Sequence, residues 1–303
     1  MLKKIFAAVF GLLFFICSAC SAYAPEGNLF VTMLDVGQGD AFLVETPQQN
    51  ILIDTGDTDS NDKLLAELKK MGVDRLERVI LTHPHADHIG GILAVLKHYD
   101  VDLISDNGID SSSPIYKKYR LADVKFSSLK AGDILDFGGG VKFKVLNPTA
   151  ERVRNVNSKA CKSNPNNESI VGKLTFGDFS MLFTGDITKS LEDDLLEKNI
   201  RATILKAPHH GSKTSSSENF IANVHPEYVF ISAGYNNKFG HPHKIPLGNY
   251  RINFVMPEKI FCTAFNGSVK VETDGFNTFV IPDQFIDWID QYSGEHIVVT
   301  RLD

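Results

Sequence analysis

The stretch VILTHPHADHIGG, Val79 to Gly91, limits what this chain can fold into more than any other part of it. RVILT is a short β-branched run of the kind that forms a buried strand, and IGGILAVLKHY after it has apolar residues at helical spacing. Between strand and helix stand His83, His85, Asp87 and His88, four metal-ligand side chains in six positions. A strand that passes into a helix through a short loop belongs to a layered α/β fold, and the carboxyl end of such a strand is where these folds bind ligands. Alternate side chains of extended chain share a face, so His83 and His85 point one way together. Asp87 and His88, at the turn into the helix, address a second position nearby. Imidazoles and a carboxylate so arranged suit two divalent ions bridged by water. An Asp87 that merely caps the helix, with solvent-facing histidines, is the bland alternative. It would suit a lone histidine, not four ligand side chains behind one buried strand.

Strand and helix patterns alternate on either side. LFVTML, AFLVET and NILIDT read as three strands with turns at GQG and PQQN, and DKLLAELKKMG as a helix stopped by Gly72. Further on, ESIVGKLTF and FSMLFTGD pair through a GD turn. TKSLEDDLLEK and SENFIANV are helical, while ATILKAP and YVFISAG are strands. KIFCTAF, SVKVET and NTFVIP predict a closing meander, with NG and DG as hairpin turns. Residues 104–131 and 147–167 read as loop-rich. No Pro/Ser/Gly-rich linker interrupts the pattern, so one domain is expected over 28–303.

The first residues follow a different logic. Lys3 and Lys4 precede the apolar run IFAAVFGLLFFI, and small residues with cysteine follow as CSAC. That is the pattern of a secretory signal over residues 1–19, and the apolar run is too short to span a bilayer comfortably. Ser18-Ala19-Cys20 resembles a bacterial lipobox, in which Cys20 is acylated and becomes the mature N-terminus, although Cys17 stands where such motifs carry Leu. An exported protein, anchored in the membrane by lipid on Cys20 through a short tether at 20–27, is the expectation. Cys161 and Cys262 then remain as thiols, and their pairing stays open. Neither has a CxxC partner. The net charge of -6 gives no support for a broad nucleic-acid or anionic-membrane surface.

HPHADH resembles the HxHxDH signature of the metallo-β-lactamase superfamily, and other stretches match that superfamily in order. ILIDTG supplies its acidic first motif as Asp54, LFTGD the metal-bridging aspartate as Asp186, and LKAPHHGSKTS the final metal histidine. LDVGQGDAFLVE, HHGS and FGHPH look, more narrowly, like the hydrolase domains of ComEC-like DNA-uptake proteins, over Phe30 to Ile281. The resemblance implies a four-layered αββα sandwich and two divalent metal ions, Zn or Mn. His83, His85 and Asp186 would hold one ion; Asp87, His88, Asp186 and His210 would hold the other. Adjacent residues at a strand end point apart, so one of the pair is the ligand and the other is not. His210 is favoured as the ligand, and His209 then faces substrate, to protonate the leaving oxygen or hydrogen-bond developing charge, or else orients a ligand. Asp54 is expected to hydrogen-bond a metal histidine, and His241 matches a GHP motif at the rim of the cleft. The resemblance places Asp40, in the GQGD turn, in the region of the site, while capping or turn bonding is the commoner role of such an Asp.

The implied activity is hydrolysis of a phosphodiester, with DNA outside the cell as a candidate. A small or cell-envelope phosphate ester, a carboxylic ester or lactone, and a binding lipoprotein without turnover are the rival readings. One part of the pattern is missing. Most superfamily members carry a histidine between HxHxDH and the bridging aspartate, where this chain has NPNNESIVGKLTF and only His98 earlier, in a helix. Asn167 and Glu168 are the ligand types that stretch offers. The His83/His85/Asp186 site is otherwise expected to keep an open position or weak occupancy.

Overall fold

A computed structural model describes residues 27–286 together with Trp288 and Ile289. The signal segment and the lipobox around Cys20 lie outside the described residues. Eight strands form one sheet in the order Thr278–Pro282, Val269–Thr273, Leu29–Met33, Phe42–Glu45, Asn50–Ile53, Arg78–Ile80, Leu103–Asp106, Lys125–Ser128. Seven form a second, in the order Ile260–Cys262, Tyr228–Ile231, Ile204–Lys206, Phe179–Phe183, Val171–Phe176, Lys142–Asn147, Ile134–Asp136. Each sheet is antiparallel in one half and parallel in the other. The change comes at Asn50–Ile53 beside Arg78–Ile80 in the first sheet, and at Phe179–Phe183 beside Ile204–Lys206 in the second.

Period-2 alternation explains why the sheets stack. Phe42, Val44, Ile51 and Ile53 point inward to meet Phe143, Leu174, Met181 and Phe183 of the other sheet, in one continuous core. The alternate residues Leu43, Leu52, Val79 and Ile104 point outward, onto helices Asn61–Lys70, Ala86–Ile89, Ile92–His98 and Pro114–Tyr119. On the far side Leu182, Leu205, Val229 and Ile231 meet Lys189–Leu195, Glu218–Val224 and Lys244–Ile252. Three cores between four layers make the αββα sandwich. At about 1.5–3 kcal/mol for each large side chain fully buried, these cores carry the fold.

The last third departs from the expected meander. Ile260–Cys262 is buried at every residue and lies parallel to Tyr228–Ile231 at the edge of the second sheet. A strand covered on both faces shows no alternation, so its pattern did not reveal its sheet. The short helix Thr263–Asn266 and Gly267, at φ 66°, then carry the chain across to Val269–Thr273. NG is therefore a crossover, and only DG closes a hairpin. The stretches read as loop-rich hold regular structure as well. Residues 104–131 contain Pro114–Tyr119 and the strand Lys125–Ser128; residues 147–167 contain Ala150–Asn157, capped by Thr149. These elements are short and half-exposed, too weakly periodic to stand out.

The helix after the opening strand is broken in two at Gly90-Gly91. A Cβ on Gly90 would lie 2.2 Å from Thr58 N, and one on Gly91 would lie 2.3 Å from Thr55 O. The two glycines let the loop after Ile53 press against the histidine segment, and this brings Asp54 to His88.

Candidate metal centre

Four strand ends converge at one edge of the sandwich. Asn50–Ile53 ends in Asp54, and Arg78–Ile80 leads to Thr82 and the histidine segment. From the second sheet, Phe179–Phe183 leads to Asp186, and Ile204–Lys206 to His209 and His210. All four loops leave the carboxyl ends of their strands, at the switch from antiparallel to parallel pairing.

Asp54 adopts φ 60° and turns its carboxylate inward, where Oδ1 accepts from Thr82 N at 2.7 Å and Oδ2 from Thr82 Oγ1 at 2.7 Å. Oδ2 also lies 2.8 Å from His88 Nδ1, so that nitrogen donates and His88 Nε2 is left to face the site. Thr82 Oγ1 is 3.1 Å from His83 Nδ1 and orients that ring in the same way. His210 Nδ1 is 2.9 Å from the Ser232 carbonyl oxygen, which frees His210 Nε2. His209 and His210 both have left-handed backbone, φ 50° and 55°. The turn sends His210 into the interior and leaves His209 half-exposed, with Nδ1 3.3 Å from Thr214 Oγ1.

Two groups of ligand atoms result, each within 4.8 Å of one another: Asp87, His88, Asp186 and His210 in the first, His83, His85 and Asp186 in the second. Asp186 belongs to both. Its Oδ1 lies 3.2 Å from His88 Nε2, and its Oδ2 lies 3.4 Å from His210 Nε2 and 3.8 Å from His83 Nε2. Asp87 Oδ2 is 3.3 Å from His210 Nε2, and His83 Nε2 is 3.0 Å from His85 Nδ1. A third cluster, Asp40, Asp54 and His88, is already neutralised by a cation of the chain, for Lys206 Nζ sits 2.8 Å from Asp40 Oδ2.

The first group fits a divalent ion on a direct test. His88 Nε2, His210 Nε2 and Asp186 Oδ1 are buried without a hydrogen-bond partner. Each such orphan costs about 1–3 kcal/mol, and one cation satisfies all three. The potential agrees. Burial opposes charge on His88 and His210, yet Asp186 with Asp54 and Asp40 outweighs it and holds both well above the ordinary histidine range. Burial also opposes ionisation of Asp87 and Asp186, yet the facing histidines keep both below the ordinary carboxylate range. In the absence of a metal, the histidine protons provide the positive charge this centre calls for, and a bound ion would displace them. His83 is pushed well below its usual value, by burial first and by His88 second, which leaves it neutral and able to ligate.

The other predicted residues divide clearly. His241 is buried beside the first group, its ring stacked on that of His210 with centroids 6.0 Å apart and edge-on to that of His209 at 5.6 Å. Burial and the surrounding histidines push it down to about 3. Asn167 and Glu168 are committed elsewhere. Asn167 Oδ1 accepts from Thr188 N and Oγ1, and the Glu168 carboxylate takes Arg152, Ser163 Oγ and Asn164 N. His98 is exposed at the end of its helix and bonds Ala94 O. Cys161 and Cys262 are both free thiols, Cys262 wholly buried.

Sequence reasoning missed Thr82, Ser232 and above all the Asp40–Lys206 pair. Asp40 lies in the region of the site, as the resemblance implied, 3.3 Å from His210 Nδ1, but as the buried partner of Lys206 and not through turn bonding. The one signal was a lysine closing the apolar run ATILK, where the strand is buried on both sides.

The profile of a family described as Metallo-beta-lactamase superfamily matches residues 34–234. ComE operon protein 3 of Bacillus subtilis is 34% identical over 245 residues, covering 73% of this chain and 30% of that protein. Competence protein ComA of Neisseria gonorrhoeae is 31% identical over 252 residues, covering 81% of this chain and 32% of that protein. The chain thus spans about a third of the length of these relatives. Among solved structures, the metallo-beta-lactamase fold protein YhfI from Bacillus subtilis superposes with a TM-score of 0.50 at 14% identity, covering 84% of this chain and all of that one. Motif order, layer architecture and profile agree: the chain belongs to the metallo-beta-lactamase superfamily of metal-dependent hydrolases.

Proposed function

We propose that this protein is an exported hydrolase that cleaves phosphodiester bonds at a two-metal centre, with DNA outside the cell as the favoured substrate. The observation that carries the reading is Asp186, one buried carboxylate shared by two adjacent ligand groups. Two divalent ions, Zn or Mn, would supply an activated water at neutral pH and charge neutralisation on the phosphoryl oxygens. Asp87, His88, Asp186 and His210 would hold one ion; His83, His85 and Asp186 the other.

His209 lies at the open side, where burial first, and then His210 and Lys206, lower its pKa. A neutral ring whose Nδ1 accepts from Thr214 Oγ1 presents Nε2–H toward Asp186, 3.8 Å away. That tautomer suits a hydrogen bond to developing charge on a substrate oxygen better than full proton donation. His209→Ala is expected to lower kcat by about 10²–10³-fold. Bound metal should stay unchanged, as assayed by elemental analysis.

The rim supports a nucleic-acid substrate. Phe239 is half-exposed and stacks on His241 with ring centroids 5.5 Å apart, and Lys238 Nζ lies 5.1 Å from the Phe239 ring centroid. Exposed Lys213 and Lys244 flank the same loop. An aromatic face with cations beside it is how single strands are gripped without sequence readout. The resemblance to ComEC-like domains points the same way. Residues 1–19 as signal, 20–27 as a lipid-anchored tether at Cys20 and 28–303 as the hydrolase domain complete the reading. Among the described residues no helix is long and apolar enough to cross a membrane.

The test is hydrolysis by the chelated protein after Mn²⁺ or Zn²⁺ is restored, with bis-p-nitrophenyl phosphate, p-nitrophenyl phosphate and a single-stranded oligodeoxynucleotide in parallel. Turnover of the diester and the oligonucleotide supports the proposal. Turnover of the monoester alone, or of none with metal bound, overturns it.

A further inference from the structure

The second ligand group has three protein donors where the first has four. The superfamily's usual fourth donor, a histidine, is absent from the stretch between His88 and Asp186 apart from His98, which is exposed on its helix and bonded to Ala94 O. The turn Pro165–Glu168 lies where that donor would be needed, and its anchors place it. Ser169 Oγ accepts from the backbone N–H of Asp186 at 3.1 Å, and Ile170 N donates to Thr82 O, one residue before His83, at 3.0 Å. Asn147 Nδ2 donates to Asn167 O and Ser169 O at 3.0 and 2.8 Å, locking the turn from behind. The turn is therefore pinned to both strand ends that carry the second group.

Within it, Asn167 and Glu168 are fully engaged by their own neighbours, and Asn166 is not. Asn166 Oδ1 is buried without a hydrogen-bond partner. The Asn166 side chain lies against the His85 imidazole. A buried carbonyl with no donor is a standing cost, and a cation beside His85 removes it. Amide oxygens are ordinary ligands for hard divalent ions.

We infer that Asn166 Oδ1 is the fourth protein ligand of the His83/His85/Asp186 position, in the place of the superfamily's histidine. The inference rests on the two-metal reading and adds a selectivity to it. Two imidazoles with two oxygens, one of them neutral, make a harder donor set than three imidazoles with a carboxylate. Such a set favours Mn²⁺ at this position more than the usual superfamily set does.

The experiment titrates metal-free full-length protein with Mn²⁺, following free Mn²⁺ by electron paramagnetic resonance and heat by calorimetry. Wild type should take up two ions of unequal affinity. Asn166→Ala should weaken one of them by about 10–100-fold and leave the other in place. Asn166→Asp, with a charged oxygen at the same point, should restore or tighten it. Asn166→His should raise Zn²⁺ affinity at that position relative to Mn²⁺. Two unchanged sites in Asn166→Ala, or a loss spread evenly over both, overturns the Asn166 assignment and leaves the two-metal reading standing. Fewer than two ions in the wild type overturns the two-metal reading and the assignment with it.

Discussion

Asp186→Asn should empty both metal positions in one step. Its two carboxylate oxygens are divided between the groups: Oδ1 faces His88, while Oδ2 faces His210 and His83. An amide keeps the volume but replaces one oxygen with a donor and removes the charge. At so buried a position the full negative charge offsets the dehydration of the incoming ions. Removing a residue that only supports a ligand costs about 10–100-fold in metal affinity or activity, and loss of the shared ligand should exceed that range for both. The check is metal content after dialysis, beside diester hydrolysis and a circular-dichroism spectrum showing that the fold is kept. If one ion remained with wild-type affinity, the groups would not share Asp186.

Asp40→Ala should be the costliest substitution for stability near the centre. Asp40 and Lys206 face each other at 2.8 Å, each side chain at most 3% exposed, and join the turn before Phe42–Glu45 to a strand of the opposite sheet. Lys206 Nζ also donates to Ala207 O at 2.7 Å, so the ammonium is held in place and cannot swing to water. Removing one partner of such a pair strands the other charge and costs about 3–5 kcal/mol. Asp40→Asn with Lys206→Met removes both charges at once and should cost much less. The comparison is by urea denaturation at pH 7.

The pH dependence has a definite sign. Burial raises the Asp40 pKa, but Lys206 and His210 outweigh it and the net shift is downward. A depressed carboxylate contributes stability above its unfolded pKa of about 3.9, and loses it as pH falls toward the folded value. The gap between wild type and Asp40→Ala should therefore be full at neutral pH and narrow below about pH 4. Metal affinity should change far less than stability, since Ser232 O continues to orient His210.

Much of the centre was legible because its parts are local. His83, His85, Asp87 and His88 follow one strand, and Asp186 and the His209–His210 pair each close another, so apolar runs ending in ligand types marked all three loops. Adjacency showed only that His209 and His210 part; left-handed backbone at both residues decides that His210 is the buried one. Pairwise contacts between distant segments left no such mark. Asp40 looked like a turn residue because it follows Gly37 and Gly39, and Lys206 like the polar end of a strand. Only the stacking of the two sheets brings them together. The same limit hid the place of Ile260–Cys262, where uniform burial erases alternation, and the anchoring of Pro165–Glu168, which depends on Ser169 meeting the backbone of Asp186.

The most direct measurement is anomalous diffraction from crystals of the metal-free protein soaked in Mn²⁺ or Zn²⁺. Two peaks about 3.5–4 Å apart are expected, the spacing of two-metal hydrolase sites. One should lie among Asp87, His88, Asp186 and His210, the other among His83, His85 and Asp186, with Asp186 touching both. No peak in either group, or a single ion bound away from Asp186, would contradict the two-metal centre.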